Sequence, residues 1–211
     1  LLDESAASVV INCAALSSPA LCEERRSEAS AINTELPKAL GQWSAESGAR
    51  VIHVSTDLVF GGGAAPEGGF SEGDGPDPVS FYGQSKADGE VALLEQNSAA
   101  LVVRLPLLYG DPKGTGRGAS EALFSSLARG ERPSLFTDEW RCPLPVSVAA
   151  LVLDELVHAQ SRGLLHVAGS ERVSRFELGL ALHQERFGDL GRAQSELHRC
   201  LRSELALSPE R

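Results

Sequence analysis

Three short runs of β-branched and apolar residues, each followed by a longer stretch that reads as helix, constrain this chain more than any other feature. Val9-Val10-Ile11 opens an apolar run that ends at Ala15, Arg50 to Val54 forms the second, and Leu101-Val102-Val103 the third. Runs this short and this apolar are the pattern of strands buried on both faces, as strands of a parallel sheet are. Residues 19–48 read as mainly helical, with Pro19 near a start and Gly48 as a stop. Pro37 either divides that stretch or stands in the first turn of a second helix. Phe81 to Glu95 follows the Pro76–Pro78 turn, has no internal proline and reads as one helix. Residues 61–79, rich in Gly, Pro, Asp and Glu, form a long surface loop, and a glycine-rich loop follows at 110–118.

Strand and helix alternate through residues 1–130, which predicts a parallel sheet with helices on both faces. A helix over about Ala119 to Arg129 closes that alternation. Residues 131–211 are less regular, with a helix at Val146 to Ala159, a short strand at Leu164 to Val167 and a helix at Phe176 to Phe187. They are expected to form a small lobe, with some elements returning to the sheet.

Composition removes several classes. A net charge of −10 with scattered acidic residues argues against nucleic acid as a partner, since phosphate recognition needs a concentrated Lys/Arg face. No apolar run is long enough to span a bilayer and no export signal opens the sequence, so a soluble, cytoplasmic protein is expected. The four cysteines, Cys13, Cys22, Cys142 and Cys200, form no Cys-x-x-Cys pair, and the five histidines show no metal-ligand spacing, so no metal site is expected. Cys13 reads as a small core residue, and His53 and His166 as packed core or strand-end residues. There is no Gly-x-Ser-x-Gly elbow and no Walker-type motif.

The chemistry-bearing segment is Tyr82-Gly83-Gln84-Ser85-Lys86. Tyr and Lys four apart project from one helix face. An ammonium near a phenol favours the phenolate, and the pair can then give a proton to a carbonyl oxygen as it is reduced. A tyrosine beside a lysine on a surface helix is the plain alternative. Ser55-Thr56-Asp57 directly follows the second strand, where open parallel sheets bind ligands. The Thr56 hydroxyl could bond the same substrate oxygen. Asn12-Cys13-Ala14-Ala15 ends the first strand, where small side chains either admit a flat cofactor or serve tight packing.

The ordered set Asn-Cys-Ala-Ala, Asn33, Ser-Thr-Asp-Leu-Val-Phe, Tyr-Gly-Gln-Ser-Lys with Gly89-Glu90, and Arg104 to Gly110 resembles the extended short-chain dehydrogenase/reductases. It is most similar to the dTDP-4-dehydrorhamnose reductase group and its relative, the regulatory β subunit of methionine adenosyltransferase. The resemblance runs from about Val9 to at least Glu177. It implies an α/β, Rossmann-type doubly wound sheet and an NAD(P)-dependent oxidoreductase using NADP (or NAD) on a nucleotide-sugar substrate, with a possible homodimer by analogy. Tyr82 would be the catalytic acid/base, Lys86 its charged partner and a ribose ligand, and Thr56 the substrate-oxygen donor. Ala14, Ala15, Leu16, Ser55 and Leu105 would line the cofactor, together with Tyr82 and Lys86. Thr56, Asp57, Tyr82 and Trp140 would touch substrate, Trp140 being alternatively a lobe-packing aromatic. Asn33 would be either a supporting residue or a helix-packing amide.

The pattern also departs from that family. No glycine-rich fingerprint follows a strand before Asn12, and the sequence contains no methionine. The chain therefore reads as N-terminally truncated, its first strands missing, and is expected alone to bind NADP poorly and to expose an apolar edge at Val9 to Cys13. Leu58 and Leu107 stand where the rhamnose-pathway enzymes carry aromatics. Two alternatives to a reductase of a 4-keto-deoxysugar follow: a non-catalytic, NADP-binding regulatory subunit, or a nucleotide-sugar epimerase/dehydratase of the same superfamily.

Overall fold

The apolar runs pair as a parallel sheet in the computed structural model, which describes residue 2 and residues 7–61, 63–110 and 118–204. β1 (Val9–Asn12), β2 (Arg50–Thr56) and β3 (Leu101–Leu105) lie in that order, with a later strand, Gly163–His166, beyond β3. The register sets Asn12 against His53, Thr56 against Leu105 and Arg104 against His166, so the carboxyl ends of the strands fall along one border. Among the described residues β1 has β2 as its one hydrogen-bonded neighbour, and Ile11 on it is 39% exposed. No helix among them is long and apolar enough to cross a membrane.

Between β1 and β2 run α1 (Pro19–Glu24), α2 (Arg26–Ser30), a π-helical turn (Ala31–Glu35) and α3 (Leu36–Ser47). Ser18 caps α1 by accepting from Leu21 N–H, and Pro37 sits in the first turn of α3, where a missing N–H costs nothing. Gly48 ends α3 in the left-handed conformation (φ 73°) that favours glycine. A 3-10 turn (Asp57–Val59) and the long loop lead to α4 (Phe81–Gln96), capped by Ser80. Leu40 of α3 and Leu93 of α4 bury Val51 and Val102, so these two helices cover one sheet face.

Two compact units divide the chain. One comprises residues 1–105, 151–167 and 209–211, and the other 106–150 and 168–208. The sheet unit thus closes at Leu105, ahead of the residue-130 boundary expected from the sequence, and takes back residues 151–167. The second unit contains β4 (Leu108–Tyr109), α5 (Ala119–Ala128), β5 (Ser134–Phe136), β6 (Trp140–Arg141) and β7 (Leu144–Pro145). α6 (Val146–His158) begins there, and β8 (Gly163–His166) is the sheet strand already described. β9 (Val173–Ser174), α7 (Arg175–Phe187), α8 (Leu190–Glu196) and β10 (His198–Cys200) complete the second unit. Among the described residues its strands form three two-stranded ribbons, β4 with β7, β5 with β10 and β6 with β9. In the sheet unit, Arg50 donates to the carbonyls of Leu156 and Val157, groups that the end of α6 leaves unbonded, and to that of Ser161 beyond it. Residues 111–117 of the expected glycine-rich loop lie outside the described residues.

One expectation is corrected. Cys13 is exposed, because β1 ends at Asn12 and the apolar run to Ala15 leaves the sheet as a loop.

Candidate active site

The sheet face beneath α3 and α4 changes character along the strands. Alternate residues share a face, so Val51, His53 and Ser55 of β2 look the same way, as do Val102 and Arg104 of β3. The face is apolar at Val51 and Val102, where Leu93 lies over it, and polar toward the carboxyl ends of the strands. There α4 presents Glu90, then Lys86, then Tyr82, each about one turn nearer that border. Ser55 Oγ donates to Glu90 Oε1 at 2.5 Å. Arg104 embraces the same carboxylate, Nη2 to Oε2 at 2.6 Å and Nε to Oε1 at 3.0 Å, with both side chains buried. Lys86 Nζ donates to Val54 O at 2.8 Å and lies 3.1 Å from His53 Nε2.

Two glycines let α4 come this close. A Cβ on Gly83 would fall 2.2 Å from the Leu58 carbonyl oxygen, and one on Gly89 would fall 2.0 Å from that of Asn33. Only a bare Cα lets the helix rest on both backbones, and Gly83 lies within the Tyr-x-x-x-Lys segment itself. Tyr82 then packs with Leu58 and Leu16, which follow β2 and β1. Thr56 Oγ1 accepts from Leu58 N–H at 3.1 Å, tying the hydroxyl to the turn that Tyr82 touches.

The loop after β1 hangs from Asn33. Its Oδ1 accepts from Leu16 N–H at 2.9 Å, while Nδ2 donates to Leu16 O at 3.1 Å and to Ser85 Oγ at 3.0 Å. Asn33 is wholly buried, and the π-helical turn carries it to both segments. It is a packing amide that holds Leu16 to α4. Beyond β1 the small side chains of Cys13 and Ala14 are exposed, leaving that backbone open to a flat ligand.

Burial lowers the pKa of Lys86 from its ordinary value to about 8, against the negative charge of the Glu90 carboxylate and of the Cys13 thiolate, which favour the ammonium. His53 is held down to about 3, first by burial and then by the charge of Lys86. Burial also pushes the Cys13 thiol up, opposed by Lys86.

Ser55, Thr56, Tyr82, Lys86, Ala14, Ala15, Leu16 and Leu105 therefore lie toward the carboxyl border of one sheet. Asp57 opens the 3-10 turn there. Trp140 belongs to the second unit, where the Arg172 guanidinium lies 4.4 Å from its ring centroid. Sequence reasoning missed the link from His53 to Lys86 and the Glu90–Arg104 pair. The signal was polar residues at alternate positions on one face, His53 and Ser55 of β2 and Arg104 of β3.

A parallel sheet of this order, with a Tyr-x-x-x-Lys helix laid over the carboxyl ends of its strands, defines a Rossmann-type protein of the extended short-chain dehydrogenase/reductase class. Residues 1–200 match the model of the RmlD substrate binding domain, and the chain belongs to that family. It is 36% identical over 181 residues to a probable low-salt glycan biosynthesis reductase of Haloferax volcanii, covering 85% of this chain and 60% of that protein. It is 32% identical to methionine adenosyltransferase 2 subunit beta of Rattus norvegicus, covering 82% of this chain and 53% of that one. The chain thus spans less than two thirds of the length of these curated relatives. Among solved structures, a dTDP-4-dehydrorhamnose reductase ortholog from Clostridium acetobutylicum superposes with a TM-score of 0.86 at 26% identity, covering 100% of this chain and 71% of that one. The Bacillus anthracis dTDP-4-dehydrorhamnose reductase, solved in complex with NADP, gives 0.84 at 25%, covering 99% and 72%.

Proposed function

We propose that the protein carrying this chain is an NAD(P)H-dependent reductase of a nucleotide-linked 4-keto-deoxysugar. The observation that carries the reading is the placement of Tyr82 and Lys86 on one turn of α4, held by Gly83 over the end of β2 where Thr56 stands. The solved NADP complex of a relative and the glycan-biosynthesis reductase support it.

The residues present fit a dinucleotide. Ala14 and Ala15 leave the backbone past β1 open, Leu16 and Leu105 offer apolar edges, and Lys86 supplies a charged group, whereas the Ser55 hydroxyl, expected to line the cofactor, is already engaged by Glu90. When bound, NADPH or NADH supplies the hydride that adds to the carbonyl carbon. The chain's own groups manage the oxygen. Thr56 hydrogen-bonds it, Tyr82 donates its phenolic proton as the carbonyl becomes an alkoxide, and the Lys86 ammonium stabilises the phenolate left behind. Asp57 is assigned to the substrate.

One observation favours a second reading, a binding subunit that retains the fold and regulates a partner. Leu58, in the cluster that holds Tyr82, and Leu107 stand where the resemblance implies aromatics in the rhamnose-pathway enzymes, and the adenosyltransferase subunit is among the relatives. NADPH absorbance followed with dTDP-4-dehydro-6-deoxy-L-mannose and the full-length protein separates the two. A reductase consumes NADPH, and Tyr82→Phe lowers turnover about 10²- to 10⁴-fold. Saturable NADPH binding without consumption would reject the reductase in favour of the subunit.

A further inference from the structure

Behind Tyr82 and Lys86 runs a line of hydrogen bonds that the proposed proton transfer does not use. It starts at the backbone, where Ala14 N–H donates to Asn12 Oδ1 at 3.1 Å. That bond fixes which end of the amide is oxygen, because the reverse orientation would set two donors against each other. The nitrogen end lies 2.9 Å from His53 Nδ1. An amide nitrogen only donates, so Nδ1 accepts and carries no hydrogen. A neutral imidazole then bears its hydrogen on Nε2, which faces Lys86 Nζ at 3.1 Å. Asn12, His53 and Lys86 are all at least 95% buried, so water outside the protein does not relieve a mismatch among them.

This arrangement suits one protonation state of Lys86. A neutral amine accepts Nε2–H into its lone pair and still donates to Val54 O. An ammonium has three hydrogens and no lone pair, so Nε2–H opposes it. Relief requires the imidazole hydrogen to move to Nδ1, which then needs the oxygen of Asn12. Turning that amide removes the acceptor of Ala14 N–H. One proton is gained overall: Nζ goes from NH2 to NH3+, while the imidazole keeps its single hydrogen on the other nitrogen.

The groups around Lys86 leave both states within reach. Glu90, one turn along α4, favours the ammonium, as does Cys13 beyond β1, whereas burial favours the amine. Arg104 from β3 and Ser55 from β2 already engage Glu90, which divides its pull. His53 stays neutral over the working range, so what changes on it is the tautomer.

We propose that His53 is a positioning residue that couples the protonation of Lys86 to the orientation of the Asn12 amide, so that a proton gained at Lys86 frees the backbone N–H of Ala14. The functional consequence rests on the reductase reading, in which charged Lys86 is the reactive state and Ala14 lines the cofactor. Charging the catalytic partner and offering a donor to the dinucleotide are then one event.

Imidazole 15N spectra of the labelled full-length protein report the His53 tautomer, and lysine 15N spectra report the charge on Lys86, without turnover. From pH 6 to pH 10 the tautomer should pass from Nδ1–H to Nε2–H with the same midpoint as the loss of the Lys86 charge. In His53→Gln, whose amide can turn its oxygen to the ammonium, the Lys86 midpoint should rise by about one pH unit, and the alkaline limb of the kcat/KM profile with it. A tautomer unchanged through the lysine transition, or two separate midpoints, overturns the proposal. Should the variant fail to fold, the wild-type spectra decide alone. Coupled titration without NADPH consumption would leave this inference standing and sink the reductase; NADPH consumption with uncoupled titration would do the reverse.

Discussion

Replacing Lys86 by methionine tests the electrostatics of the site through stability alone. In the folded chain the lysine pKa falls from the ordinary 10.5 to about 8. The folded-state value is the lower one, so the lysine's contribution is most favourable above pH 10.5 and is lost as pH falls through 8. Below pH 8 the ammonium is present in both states, and its burial costs the folded one about 3 kcal/mol, at about 1.4 kcal/mol per pH unit. Methionine has a similar volume and no charge. It also leaves Val54 O and His53 Nε2 without the partner they have in Lys86, but that loss does not vary with pH while His53 stays neutral. The pH dependence of the difference therefore isolates the lysine. Wild type should gain about 2.5 kcal/mol on the variant between pH 7 and pH 10, or about 1 M in the urea midpoint. Trp43, packed against the sheet core, gives the fluorescence signal. A difference flat across that range would refute the reasoning, since it would mean that Lys86 titrates normally in the folded chain.

Two further substitutions probe the scaffold. Glu90→Gln leaves the Arg104 guanidinium buried without its carboxylate and should destabilise the chain by about 3–5 kcal/mol in urea denaturation, whereas Glu90→Leu combined with Arg104→Met should cost less. Gly89→Ala drives a methyl into the Asn33 carbonyl and should cost at least about 2 kcal/mol in the same assay, while Gly73→Ala, whose nearest neighbour is Ser71 Oγ at 3.8 Å, should stay within about 0.5 kcal/mol.

What the sequence showed and what it hid divide along a physical line. Short-range signals were legible. Of the four sheet strands among the described residues, three followed from β-branched runs and the fourth from the short strand read at Leu164 to Val167, α4 followed from its helix formers and the preceding prolines, and the stop at Gly48 from glycine's freedom at positive φ. Tyr82 and Lys86 could be placed on one face because helical spacing is a local property. The strand ends were less visible: β2 runs two residues past Val54 because Ser55 and Thr56 continue the ladder with β3, which apolarity does not signal. Contacts across long separations stayed hidden altogether. Asn33 lies 52 residues from Ser85, and nothing in either neighbourhood names the other. His53 read as packed core, and it is buried, but its partners come from β1 and α4. The π-helical turn that aims Asn33 had no counterpart in the apolar pattern.

His53, Ser55 and Arg104 share one sheet face, and their arrangement bears on why Tyr82 and Lys86 are where they are. A face made only of valine and leucine would accept α4 at several positions along its axis, because apolar contacts are interchangeable. Here Ser55, His53 and Arg104 present groups that must each meet a particular partner. Sliding α4 by one turn would carry Glu90 away from Arg104 and bring Lys86 over the wrong residues, leaving buried charges uncompensated at several kcal/mol each. Gly83 and Gly89 add the same demand in steric form, since only at this position do bare Cα atoms meet the Leu58 and Asn33 carbonyls. The polar network thus need not stabilise the fold more than leucines would. Its effect is to leave one seating for α4, the one that carries Tyr82 to the carboxyl border of the sheet.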